Sequence, residues 1–98
     1  MKLLLIIIEE EGAELKNAEL IGMIKSAENW AHYLRSTWIV MTDREISWWS
    51  SKINSYDNID YFITDITNTT YDGLLSPQAW EWLTKQKEKI KEQPTVNF

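Results

Sequence analysis

Three groups of residues in this 98-residue chain have side chains suited to chemistry: a run of three carboxylates, one imidazole and six indoles. Glu9, Glu10 and Glu11 directly follow an apolar run, and a strand ending in carboxylates can offer oxygen ligands to a hard cation such as magnesium. The same run also reads as solvated charge closing an apolar strand. His32 is the single histidine, which excludes a histidine metal cluster. It reads either as a ring bonded to a neighbouring backbone group or carboxylate, or as a ligand contact. The serines lie outside any Gly-x-Ser-x-Gly elbow, and phosphate-loop and dinucleotide fingerprints are absent.

The aromatic set Trp30, Tyr33, Trp38, Trp48, Trp49, Trp80 and Trp82 can stack planar rings such as nucleobases, with Arg35 or Arg44 for a phosphate. Its plainer use is core packing and subunit contact, because each ring brings ~150–250 Å² of surface to bury. Trp48 falls one residue off its apolar stripe. Trp80 and Trp82, at ~100° per helical residue, point ~200° apart and cannot face one core together. The ligand-contact set expected from these patterns is His32, Tyr33, Arg35, Trp38 and Trp48, with Trp80 and Trp82 at an interface.

The composition sets the frame. One domain and one core fit 98 residues, 44 % of them hydrophobic. A formal charge of −5 disfavours non-specific grip on a phosphate backbone. With no cysteine there is no disulfide framework and no thiolate metal site, and a cytoplasmic setting is expected. Seven apolar residues before Glu9 are far fewer than the ~20 that span a bilayer, so no membrane role is expected. Asn68-Thr69-Thr70 matches a glycosylation triplet that carries no weight without a secretory route.

The elements needed to position these groups follow from spacing. Lys2 to Glu9 is apolar at both parities, the pattern of a central strand covered on both faces. A helix is expected from about Glu14 to Ala27, with Asn17 as a cap. Trp30 to Leu34 and Thr37 to Met41 form a hairpin around Arg35-Ser36, with Trp30, His32 and Leu34 on one face. Thr42 and Glu45 suggest a capping box before a helix with Ile46, Trp49, Ile53 and Tyr56 on its stripe. Ile59 to Ile66 is a strand, with Tyr61, Ile63 and Asp65 opposite Phe62 and Ile66. Ser76-Pro77 opens a last helix through Trp80, Leu83 and Ile90, fraying into Pro94. The order is β-α-β-β-α-β plus a helix, an α+β ferredoxin-like sandwich in a single domain spanning residues 1–98.

Lys25-Ser26, Trp30, His32-Tyr33-Leu34, Ser36-Thr37-Trp38-Ile39-Val40, and Pro77 with Ala79-Trp80-Glu81-Trp82-Leu83 together resemble the SinR-like family of small proteins. That family is similar in fold to the CRISPR-associated ferredoxin-like endoribonucleases of spacer acquisition. In a ferredoxin-like sandwich the sheet face opposite the two helices is left for the C-terminal helix, a second subunit or a ligand, and a homodimer through that face fits a first strand that is apolar on both sides. The resemblance implies a strand-end carboxylate that helps hold a divalent metal, and that position falls on Glu9 where the nucleases carry aspartate.

Two functions are therefore expected. The first is a small dimeric, non-catalytic binding protein for a nucleotide, a short nucleic acid or a protein partner, without a cofactor and suited to a microbial or viral defence setting. The alternative is a magnesium-dependent ribonuclease or DNase with Glu9 paired across the dimer axis and Asp65 in support.

Overall fold

The computed structural model describes residues 1–92, so the expected fraying at Pro94 lies outside the described residues. Along the chain run β1 (Lys2–Glu10), β2 (Ala13–Glu14), α1 (Ala18–Ile24), β3 (Asn29–Leu34), β4 (Thr37–Thr42), α2 (Ile46–Ile53), β5 (Ile59–Asp65) and α3 (Pro77–Glu92). The result is an α+β fold with one antiparallel sheet and three helices. The strands lie in the order β2-β1-β4-β3, with β5 on β1.

β1 organises the sheet because its two parities bond in opposite directions. Ile8 N–H donates to the Ser36 carbonyl at 2.8 Å, on the β4 side, whereas Glu11 N–H donates to Asn58 at 3.0 Å and Leu3 accepts from Ile66 N–H at 2.9 Å, on the β5 side. Even residues of β1 therefore bond toward β4 and odd residues toward β5. Side chains divide the same way. Leu4, Ile6 and Ile8 form a core with Leu20 and Ile24 of α1, Trp38 and Val40 of β4, and Trp49 and Ile53 of α2. On the other face Leu3 is buried, and α3 lays Ala79 and Leu83 beside Ala31 and Ile39. A strand with no polar parity is what a three-layer arrangement requires.

Several local expectations change in physically informative ways. The first helix begins at Ala18 rather than near Glu14, because Ala13 and Glu14 turn back to pair with Glu10 and Glu9. Glu11 and Gly12 take positive φ (51° and 75°) to make that return, a conformation that costs glycine little. Asn17 caps α1 as expected, its Oδ1 accepting from Leu20 N–H at 3.0 Å. The capping box does not form. Thr42 ends β4, its Oγ1 accepting from Arg44 N–H, and the N-cap residue Glu45 instead pairs with Lys2 at 2.9 Å.

The β3–β4 register slips by one between Ala31 and Leu34. This bulge moves Leu34 off the His32 face and onto the α3 face. In α3, Ser76 Oγ accepts from Ala79 N–H at 3.3 Å, confirming the cap. The buried stripe is Ala79, Leu83 and Gln86, however, with Trp80 and Trp82 half-buried on its two flanks. Two indoles ~200° apart can both be partly covered when smaller residues hold the centre.

Two predictions follow from this packing. Ile53, fully buried between α2 and the sheet, should cost about 2–5 kcal/mol when changed to alanine, read as a lower urea midpoint at unchanged m-value. Tyr56 donates its hydroxyl to Glu19 Oε1 at 3.0 Å, joining the end of α2 to α1. Desolvation first, then the bond to Glu19 and its charge, raise the Tyr56 pKa above the usual 10.0. A group raised on folding stabilises below its unfolded pKa and loses that contribution as pH rises through the folded one. Ultraviolet titration should therefore show a phenol ionising above the usual 10.0 that Tyr56→Phe removes.

Candidate functional site

The expected ligand-contact residues are distributed over different surfaces. On β3 and β4, His32 stacks on Trp38 with ring centroids 3.8 Å apart and planes 8° apart, and His32 Nε2 lies 2.9 Å from the Arg35 carbonyl. Trp30 leans on the same indole at 5.7 Å and carries Lys25 Nζ 4.7 Å above its own ring. Trp38 is only 2 % exposed under this stack, so its faces are taken by the protein itself. Tyr33 lies across the sheet beside Trp82 and Leu34, and Arg35 is exposed in the hairpin turn.

Trp48 occupies a separate place on α2. Its ring meets Trp49 edge-on at 5.0 Å, with the Arg44 guanidinium 4.2 Å and Lys52 Nζ 5.6 Å from its centroid. A polar cleft of about 210 Å³ runs beside it, lined by Ser26, Glu28, Thr42, Asp43 and Arg44. Glu28 and Asp43 bring negative charge to the groove in which Arg44 would meet a phosphate.

The glutamate run diverges. Glu10 Oε1 accepts from the backbone N–H of Lys16 and of Asn17, both at 2.9 Å, and so shapes the entry to α1. Glu11 turns outward in the positive-φ bend. Glu9 lies on the opposite face from Glu10, where Ser36 Oγ donates to its Oε2 at 3.4 Å. Asp65, the supporting carboxylate of the nuclease alternative, is opposite Leu4, whereas Glu9 is opposite Asp60. Five residues of strand separate these positions, roughly 17 Å at ~3.4 Å each, and their parities point to opposite faces. Asp65 Oδ1 instead accepts from Thr67 N–H at 2.9 Å and Thr67 Oγ1 at 2.6 Å. One chain does not bring Glu9 and Asp65 to one metal.

What sequence reasoning missed lies on the α3 face. In register across four strands are Phe62 of β5, Ile7 of β1, Thr37 of β4 and Leu34 of β3. Phe62 is 64 % exposed, Leu34 52 % and Ile7 40 %, forming an apolar row that α3 stops short of covering. Beside it an apolar cleft of about 300 Å³ opens between Leu5, Ile39, Tyr71, Leu75 and Trp80. Tyr71 stacks on Trp80 with centroids 6.4 Å apart, so part of the α3 indole surface is covered from within the chain. Two residues toward the strand end, Glu9 is opposite both Glu14 and Asp60, giving an acidic row parallel to the apolar one. The signal for Phe62 was its parity opposite Tyr61. The bulge that exposes Leu34 has no comparable signature.

Compared with protein-family models, with curated proteins and with solved structures, the chain matches none. Among the described residues no helix is long and apolar enough to cross a membrane.

Like charges directly opposite on neighbouring strands destabilise a sheet. Asp60→Lys should therefore raise stability by ~0.2–1 kcal/mol in urea unfolding, and an unchanged or lower midpoint would show that the acidic row carries no strain.

Proposed function

We propose that the protein is a homodimeric binding module, non-catalytic, whose partner is a protein segment that is apolar on one side and basic at its flank. The row Phe62–Ile7–Thr37–Leu34 carries this reading, because several large apolar groups sit exposed in one line on a rigid sheet. The neighbouring row Glu9, Glu14 and Asp60 supplies the electrostatic half: three carboxylates in register make a cationic partner favourable there and fix the orientation of docking.

The ferredoxin-like reading of the fold belongs to the same proposal. With the two-residue β2 set aside, the strands run β5-β1-β4-β3, the β1 neighbours are antiparallel and two helices share one face, which supports a split βαβ pair. The SinR-like resemblance belongs to the same proposal, and the cysteine-free composition fits a cytoplasmic setting.

A second reading, nucleotide binding at Trp48 and Arg44, is favoured by the guanidinium already poised 4.2 Å over an accessible indole. Calorimetry separates the two. Basic amphipathic peptides should bind with an affinity that falls as salt rises and is lost in Phe62→Ser/Leu34→Ser, while mono-, di- and cyclic nucleotides give no heat. Nucleotide heat abolished by Trp48→Ala would install the second reading. Magnesium-dependent nucleic-acid cleavage lost in Glu9→Gln would install the nuclease alternative.

A further inference from the structure

The two edges of the sheet are built differently. β3, at one edge, is broken by the bulge between Ala31 and Leu34, a device that discourages strand addition. β5, at the other, keeps an unbroken register of seven pairs with β1, from Leu4 opposite Asp65 to Glu10 opposite Ile59, and contains no proline, lysine or bulge. The bonds at Asn58 and Ile66 fix its phase: even residues Asp60, Phe62 and Thr64 turn their backbone groups to β1. Ile59, Tyr61, Ile63 and Asp65 then turn theirs outward, and among the described residues no other strand pairs with them.

We infer that a second copy of this chain pairs with β5 antiparallel, about a two-fold axis at Phe62. The inference rests on the homodimeric part of the binding reading and gives it an interface. Outward groups on both strands must meet, which limits the alignment to even registers. The register centred on Phe62 uses all four outward residues, with Tyr61 opposite the partner's Ile63 and Ile59 opposite the partner's Asp65. It also separates the carboxylates: Asp60 faces the partner's Thr64, and no acid faces an acid. A shift of one residue would place Asp60 against the partner's Asp65 and turn the bonding groups away.

Phe62 then meets the partner's Phe62 as a non-hydrogen-bonded pair, the closer kind, with Cα atoms ~4.5 Å apart. An aromatic cross-strand contact then covers one side of the exposed ring and leaves its outer surface open. Two apolar rows become one across a sheet of ten strands, eight without the two-residue β2 of each copy, with both α3 helices on the same side. The joined row is the floor available to the protein segment of the previous subsection.

The chain has no cysteine, so a single introduced thiol reports this geometry. Native mass should give a dimer, Phe62→Cys should convert completely to a covalent dimer under mild oxidant, and Asp60→Cys should not, since its partner copy lies four residues away along the strand. Phe62→Lys, an exposed substitution that keeps the fold by circular dichroism, should leave only monomer. A native dimer that crosslinks through neither cysteine and survives Phe62→Lys would overturn the β5 seam while leaving the homodimer. A wild-type monomer at all concentrations would overturn both, and if that monomer still bound the basic peptides, the binding surface would stand without the seam.

Discussion

β1 is apolar on both faces and hydrogen-bonded along both edges, and the placement of every other element depends on it. Because its odd and even residues bond in opposite directions, β4 and β5 cannot exchange sides without breaking the ladders fixed at Ser36, Asn58 and Ile66. Because Leu3, Leu4, Ile6 and Ile8 are all buried, both faces need a covering layer. α1 and α2 provide one and α3 the other. Cover on the α3 side runs out before the strand does, and that shortfall creates the apolar row at Ile7 and the acidic row at Glu9.

The indoles that dominate the composition are chiefly structural. Trp49 is buried beneath α2 and Trp38 beneath His32, while Trp80 and Trp82 brace the flanks of α3. Phe62, Leu34 and Ile7, residues of ordinary abundance, are exposed together because register lines them up, while Tyr33, Trp30 and Tyr71 are exposed outside that row. Leu74, 97 % exposed in the loop before α3, lies outside that in-register row.

Much of the secondary structure was legible because local physics decides it. The double-parity run of β1, the Asn17 cap, the Arg35-Ser36 turn and the Ser76-Pro77 start are all set within a few residues. Features set by distant partners were not. Glu10 draws the chain into the β2 return by accepting two backbone N–H groups, Lys2 takes Glu45 away from a capping box, and the bulge at Leu34 reverses a face. The candidate site fared less well for the same reason. Aromatic residues advertise stacking in a sequence, yet whether a ring is free depends on what folds over it. His32 and Trp38 find each other, whereas Phe62 stays 64 % exposed among the described residues.

Amide hydrogen exchange along β5, followed as a function of protein concentration, tests the central claim most directly. The account predicts that the amides of Phe62 and Thr64 stay protected at every concentration, through β1, while those of Tyr61 and Ile63 gain protection only as the chain concentrates. Rapid, concentration-independent exchange at Tyr61 and Ile63 would contradict it.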